Sequence, residues 1–232
     1  MQTIGGSMGA LSRLTALAVS GLAASLGAAP ALAHPHVFVE SNVEIVGNDA
    51  GQFTALRNVW RMDELFSSSV VFDFDANANG TLDPEELDAV GETIRRSIAE
   101  WGYYTFAELG DRDVKFTEPD KIHALFEDGQ LILFFEMPVA ETIDLRTQPI
   151  KVSNFDESFF VAFDFKDVDA FKLIGLPDGC RKTLNVPDED AAAQQWMDSI
   201  ANLAPDEEVG EEGSQFADVM ATRLEASCGA QS

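Results

Sequence analysis

Twelve residues, Asp75 to Glu86 (DANANGTLDPEE), carry oxygen-bearing side chains at the alternating positions that a hard divalent cation requires. Ca2+ takes six to eight oxygens, and a tight loop supplies them from its positions 1, 3, 5, 7, 9 and 12. Here those positions are Asp75, Asn77, Asn79, Thr81 (through its carbonyl), Asp83 (through water) and Glu86 (through both oxygens). Gly80, at position 6, permits the positive φ that turns the chain, and Leu82, at position 8, is placed to anchor the loop in a core. Only Asp75, Asp83 and Glu86 are charged, which lowers the pull on the ion. Affinities of about 10⁻⁴–10⁻³ M, those of extracellular modules, suit such a ligand set. No second loop of this pattern occurs in the sequence, which favours a structural clamp over a paired sensor.

The second group is nitrogenous. Of three histidines, His34 and His36 flank Pro35, and His123 stands alone. If His34 is the first residue of the mature chain, its amine and imidazole form a chelate. His36 or His123 would then complete a T-shaped nitrogen set suited to Cu2+, Ni2+, Co2+ or Zn2+. Pro35 has no amide proton to lose, so the square-planar amino-terminal site that binds through the second residue's amide is excluded. The alternative is that His34 and His36 merely begin a strand and His123 sits within one. Catalytic patterns are missing: Ser67, Ser68 and Ser69 lack nucleophile-elbow glycines, there is no phosphate-binding glycine loop, and the carboxylates single out no acid–base pair.

The elements that must hold these groups follow from periodicity. Asp83 caps a helix that starts at Pro84, with Glu86 as its capping-box partner. Leu87, Val90, Ile94, Ile98 and Trp101 then form one apolar stripe. A less regular helix, 63–72, enters the loop. Before this unit, residues 36–47 alternate apolar and polar, and 52–62 continue after a turn at 48–51, with Phe53, Leu56, Val59 and Trp60 available to a core. This pattern predicts a hairpin. After it, strands are expected at 103–109, 114–118, 121–127, from Gln130 after an Asp128-Gly129 turn, and at 150–154, 158–165, 171–176 and 181–186. Phe155 to Phe165 reads as core rather than as an aromatic binding face. Beyond 187 the texture changes: helices are expected at 190–201 and 216–226, separated by the acidic, Gly-rich segment 204–214.

The fold class predicted is therefore α+β. Mostly antiparallel strands form a sandwich or two sheets, with a helix–calcium loop–helix insert at 63–101 and a C-terminal helical tail.

Residues 1–33 stand apart. Arg13 precedes an apolar run that ends in Ala31-Leu32-Ala33, the form of a secretory signal. Gly21, Gly27 and Pro30 interrupt that run, so no membrane insertion of the mature chain is expected. The division is a signal peptide at 1–33, a β-rich domain at 34–186 and an acidic tail at 187–232. In an oxidising periplasm, Cys180 and Cys228 are expected to form a disulfide that ties the tail back. The net charge of −25 repels nucleic acid and anionic lipid and favours cations and basic partners.

Several motifs occur in order. They are the HPHVFV start, Trp60-x-x-Asp63-Glu64-x-Phe66, the 75–86 loop, Tyr103-Tyr104-Thr105-Phe106, the apolar strand after Asp128-Gly129, and Phe159-Phe160-Val161-Ala162-Phe163-Asp164-Phe165. Together they resemble a bacterial family of unknown function described as the periplasmic component of an uncharacterised ABC-type transport system. In that family the genes often lie beside nickel/cobalt-type permeases or in zinc-responsive neighbourhoods. The resemblance implies a periplasmic accessory protein handling a transition metal for a membrane metal permease, with Ca2+ as a staple. The alternative is a secreted mono-copper enzyme with an N-terminal histidine brace.

Overall fold

Strand alternation in the first forty residues of the expected mature chain does produce a hairpin. In the computed structural model, which describes residues 36–188, 190, 191, 194 and 217–229, β1 (Val37–Gly47) pairs antiparallel with β2 (Gln52–Met62). These residues belong to one compact unit, Ala33–Ser232. Residues 1–33, His34, the acidic segment 204–214 and most of 190–201 lie outside the described residues.

The chain continues through α1 (Glu64–Phe74), α2 (Pro84–Ser97), a 3-10 turn (Ala99–Tyr104), β3 (Thr105–Leu109), β4 (Arg112–Asp113), β5 (His123–Glu127) and β6 (Gln130–Asp144). It ends in β7 (Ile150–Asn154), β8 (Val161–Asp164), β9 (Phe171–Ile174), β10 (Arg181–Asn185) and β11 (Arg223–Ser227). One sheet runs β5-β6-β2-β1-β8, with β9 also on β1; the other runs β10-β11-β7-β3-β4. The expected α+β class with two sheets is observed. Most pairs are antiparallel, as expected, and β8 and β9 lie parallel to β1.

The long strands of the first sheet explain the architecture. One face of β1, β2 and β6 is apolar except for Ser41 and Asn58 near its middle, and needs two covers. At one end Val43, Ile45, Phe53 and Leu56 pack against Ile150, Val152 and Leu224 of the second sheet. At the other end Val39, Trp60, Leu133 and Phe135 pack beneath the helices, against Val70, Leu82 and Val90. Each such side chain contributes about 1.5–3 kcal/mol when fully buried. Close approach of α2 to β5 depends on Gly91, where a Cβ would lie 2.1 Å from the Ile122 carbonyl oxygen.

Several expectations are corrected. The last turn of the expected second helix is not helical: α2 stops at Ser97, and Trp101 is 40% exposed rather than part of the apolar stripe. Gly102, Tyr103 and Tyr104 take positive φ instead, so β3 begins at Thr105 and not at 103. Residues 114–118 form no strand; Phe116 makes an isolated bridge to Val139, since Pro119 soon interrupts the segment. The strand expected at 158–165 is shortened to β8 because Phe159 turns at φ 58°. Val59 faces away from the core: a register shift between Phe53 and Ala55 moves Leu56, Asn58 and Trp60 onto the inner face.

The largest correction concerns the tail. Of the helix expected at 216–226, residues 217–220 are helical, but 223–227 form β11, inserted between β10 and β7. Leu224 and Ala226 fill inward positions at the strand period of two, a pattern five residues long that a helical stripe also accommodates.

Candidate functional site

The helices expected on either side of the 75–86 loop are present, and their ends are set by local chemistry. Asp63 caps α1 by accepting from the Phe66 amide at 2.9 Å, while its other oxygen accepts from the Phe38 amide of β1 at 2.8 Å. Ser67 accepts from the Leu131 amide at 2.9 Å, which fixes α1 to β6. At the loop's exit Asp83 accepts from the Glu85 and Glu86 amides, and Glu86 returns the bond by accepting from the Asp83 amide at 2.9 Å. This is the expected capping box, with Pro84 at the first turn.

Between the helices the loop folds around its own oxygens. Both oxygens of Asp75 accept backbone amides, from Asn79 at 3.0 Å and Gly80 at 2.7 Å. Asn77 and Asn79 accept from the amides of Asn79 and Thr81, respectively. Glu86 reaches back across the loop to accept from the Ala76 amide at 2.9 Å. The Asn77 amide nitrogen bridges Asp83 at 3.2 Å and Glu86 at 3.4 Å. Gly80 has φ 82°, as the turn demands, and Leu82 is buried in the core under the helices.

These observations bring loop positions 1, 3, 5, 9 and 12 into one hydrogen-bonded group. Glu86 is only 9% exposed, and among the described residues no Lys or Arg forms an ion pair with Asp75, Asp83 or Glu86. A carboxylate oxygen that accepts one backbone amide keeps a second lone pair for a cation. The donor set of carboxylates, side-chain amides and one backbone carbonyl is therefore suited to a hard divalent ion and unsuited to a soft one. Among the described residues no cluster of three or more His, Cys, Asp or Glu side chains stands ready to hold a metal. Within the loop, Asn77 Nδ2 links Asp83 and Glu86, whereas Asp75 is bound to the Asn79 and Gly80 amides.

The histidines are not gathered. The His36 amide donates to the Phe160 carbonyl at 2.9 Å at the start of β1, and its ring lies 5.0 Å from that of Phe160. His123 is in β5, stacked on Phe134 at 4.7 Å, beside a cleft of 720 Å3 that also includes Lys121, Glu118 and Arg57. Register places His123 opposite Phe134, Phe134 opposite Val59, and Val59 opposite Asn42. His36 is thus three strands and six residues away, roughly 14 Å across the sheet and 20 Å along it. His36 and His123 are thus too far apart to hold one ion together; His34, whose amine and imidazole the expected chelate uses with one of them, lies outside the described residues.

The structure also contains features that sequence periodicity missed. Asn154 lies at the centre of a buried polar group between the sheets. It accepts from Ser41 Oγ at 2.9 Å and donates to Asn58 Oδ1 at 3.1 Å, to Thr105 Oγ1 at 3.2 Å and to the Tyr104 carbonyl at 3.0 Å. Beside it, burial pushes the Tyr104 hydroxyl up to about 12, with the charges of Asp156 and Glu100 acting in the same direction. The bond between Cys180 and Cys228 is formed as expected. Among the described residues no helix is long and apolar enough to cross a membrane.

An uncharacterised protein of Haemophilus influenzae is 25% identical over 171 residues, covering 73% of this chain and 81% of that protein. Among solved structures, the Biomphalaria glabrata acetylcholine-binding protein type 1 matches at 8% identity and a TM-score of 0.34, over 84% of this chain and 85% of that one. The family described as "Protein of unknown function (DUF1007)" matches residues 19–228, and the chain belongs to that family.

Proposed function

We propose that this chain is a periplasmic accessory protein of a transition-metal transport system, serving a membrane permease of the Ni/Co/Zn type. A Ca2+ ion at the 75–86 loop is its structural clamp. The observation that carries the calcium reading is the folding of Asp75, Asp83 and Glu86 onto the loop's own N–H donors, with no basic partner among the described residues. Asp75, Asn77, Asn79, the Thr81 carbonyl, Asp83 and Glu86 would hold the ion. The ion supplies positive charge that compensates these carboxylates, and so ties the end of α1 to the start of α2. The secretory form of residues 1–33 and the His34-Pro35-His36 start support the transport reading.

A few millimolar Ca2+ exceeds a dissociation constant of 10⁻⁴–10⁻³ M by roughly threefold to thirtyfold. Mass action then stabilises the fold by about 1–2 kcal/mol. The melting temperature is expected to rise by several degrees with Ca2+ relative to chelator. Glu86→Gln should abolish the rise while keeping an acceptor for the capping box. A wild-type melting curve indifferent to Ca2+ would contradict the clamp.

Transition-metal binding is tested at the mature N-terminus. Protein that starts at His34 is expected to bind Zn2+ or Ni2+ much more tightly than protein carrying one extra residue, because an amide nitrogen is a poor donor. Equal affinities would exclude a role for the terminal amine. Redox-active copper in native protein, in place of Zn, Ni or Co, would instead support the mono-copper enzyme.

A further inference from the structure

Under the helix pair, between α1, the end of α2 and the inner face of the first sheet, lies a cavity of 280 Å3. Phe66, Ile94, Ile98, Leu133, Val161 and Phe163 belong to its apolar wall, Ser97 and Tyr104 add polar side chains, and among the described residues no charged one lines it. One lining group is out of place in this apolar setting. Trp60 is 2% exposed, packed by Phe135 and Phe163, and its Nε1 has no hydrogen-bond acceptor among the described residues. A buried N–H without an acceptor is costly, and native proteins rarely retain one without a reason.

We infer that this cavity is a binding site for a small, uncharged, hydrophobic molecule that presents one hydrogen-bond acceptor to Trp60 Nε1. Size sets the class: an apolar cavity of about 150 Å3 accommodates benzene, so this one takes a compact ligand of roughly twice that bulk at most. Charge sets it further, because a wall without ionic side chains cannot compensate a carboxylate or an ammonium. The acceptor provides selectivity, since a ligand of equal shape without it leaves the indole N–H unpaired. The site is independent of the 75–86 loop and of the histidines.

The full chain titrated with acetophenone and with isopropylbenzene, similar in shape but without an acceptor, gives the test by NMR of the indole N–H groups. Acetophenone is expected to move the Trp60 Nε1–H resonance downfield in a saturable way and to bind about fivefold more tightly than isopropylbenzene, the effect of one ordinary net hydrogen bond. Trp60→Phe should equalise the two affinities, and Val161→Phe, which fills the cavity, should weaken both at least tenfold. The wild-type comparison does not depend on either variant folding. A Trp60 resonance that does not respond, equal wild-type affinities, or a saturable shift confined to the exposed Trp101 would each overturn the assignment.

Discussion

Replacing both Cys180 and Cys228 by serine is expected to lower stability by about 4 kcal/mol. The chain-entropy estimate for a loop closed across 48 residues gives this figure. The bond sits at the end of the β10–β11 ladder, one position beyond the pair Arg181 and Ser227. β11 reaches the second sheet from distant sequence and is five residues long, yet it places Leu224 and Ala226 in the core between the sheets. In the reduced chain that strand must find its position without a covalent guide, and the unfolded state regains the entropy that the bond removes. For a domain of this size the melting temperature should fall by about 8–16 °C. Thermal unfolding of wild type with and without reductant, and of the double serine variant, checks this. A shift of under two degrees would show that the tail is held by the ladder alone.

Asn154→Leu is the second large effect, expected to cost about 2–4 kcal/mol. The substitution removes one acceptor and one donor group from a site 2% exposed, and it strands several neighbours at once. Ser41 Oγ loses its acceptor, and Asn58 Oδ1 and the Tyr104 carbonyl lose a donor. A buried polar group left unpaired costs about 1–3 kcal/mol, and these groups have little access to water. Asn154→Asp separates charge from shape. It keeps the acceptor for Ser41 but replaces the donor and buries a carboxylate, so its folded-state pKa should lie above the ordinary Asp value of about 3.9. The protonated form then favours the folded state. Relative to wild type at the same pH, the deficit should be largest at neutral pH and should shrink as pH falls toward 4. Chemical denaturation at pH 7 and pH 5 measures it. A deficit that does not change with pH would mean that the carboxylate reaches solvent.

Much of the site's local chemistry was legible in the sequence because it is local. The capping box of Asp83 and Glu86, the positive φ at Gly80 and the burial of Leu82 depend on residues a few positions apart, and all are present. The β1–β2 hairpin and the apolar stripe of Leu87, Val90, Ile94 and Ile98 were read from periodicity for the same reason. What was missed depends on distant partners. Residues 223–227 are a strand only because β7 and β10 stand on either side to pair with them. Tyr103 and Tyr104 tolerate positive φ where Asn154 holds the Tyr104 carbonyl and Thr105 Oγ1 donates to the Tyr103 carbonyl at 2.7 Å. Asn154 itself gave no sign of its role, since a polar residue at the end of a short strand is ordinarily exposed. The separation of His36 from His123 is likewise a matter of sheet order, which residue types do not encode.

Direct measurement of bound Ca2+ tests the central claim most closely. Equilibrium dialysis of metal-free protein against millimolar Ca2+, followed by elemental analysis, is expected to find one ion per chain in the wild type. Glu86→Gln and Asp75→Ala should bind far less at the same free concentration. Absence of Ca2+ from the wild type, or an equal amount in wild type and Glu86→Gln, would contradict the assignment of residues 75–86 as a calcium site.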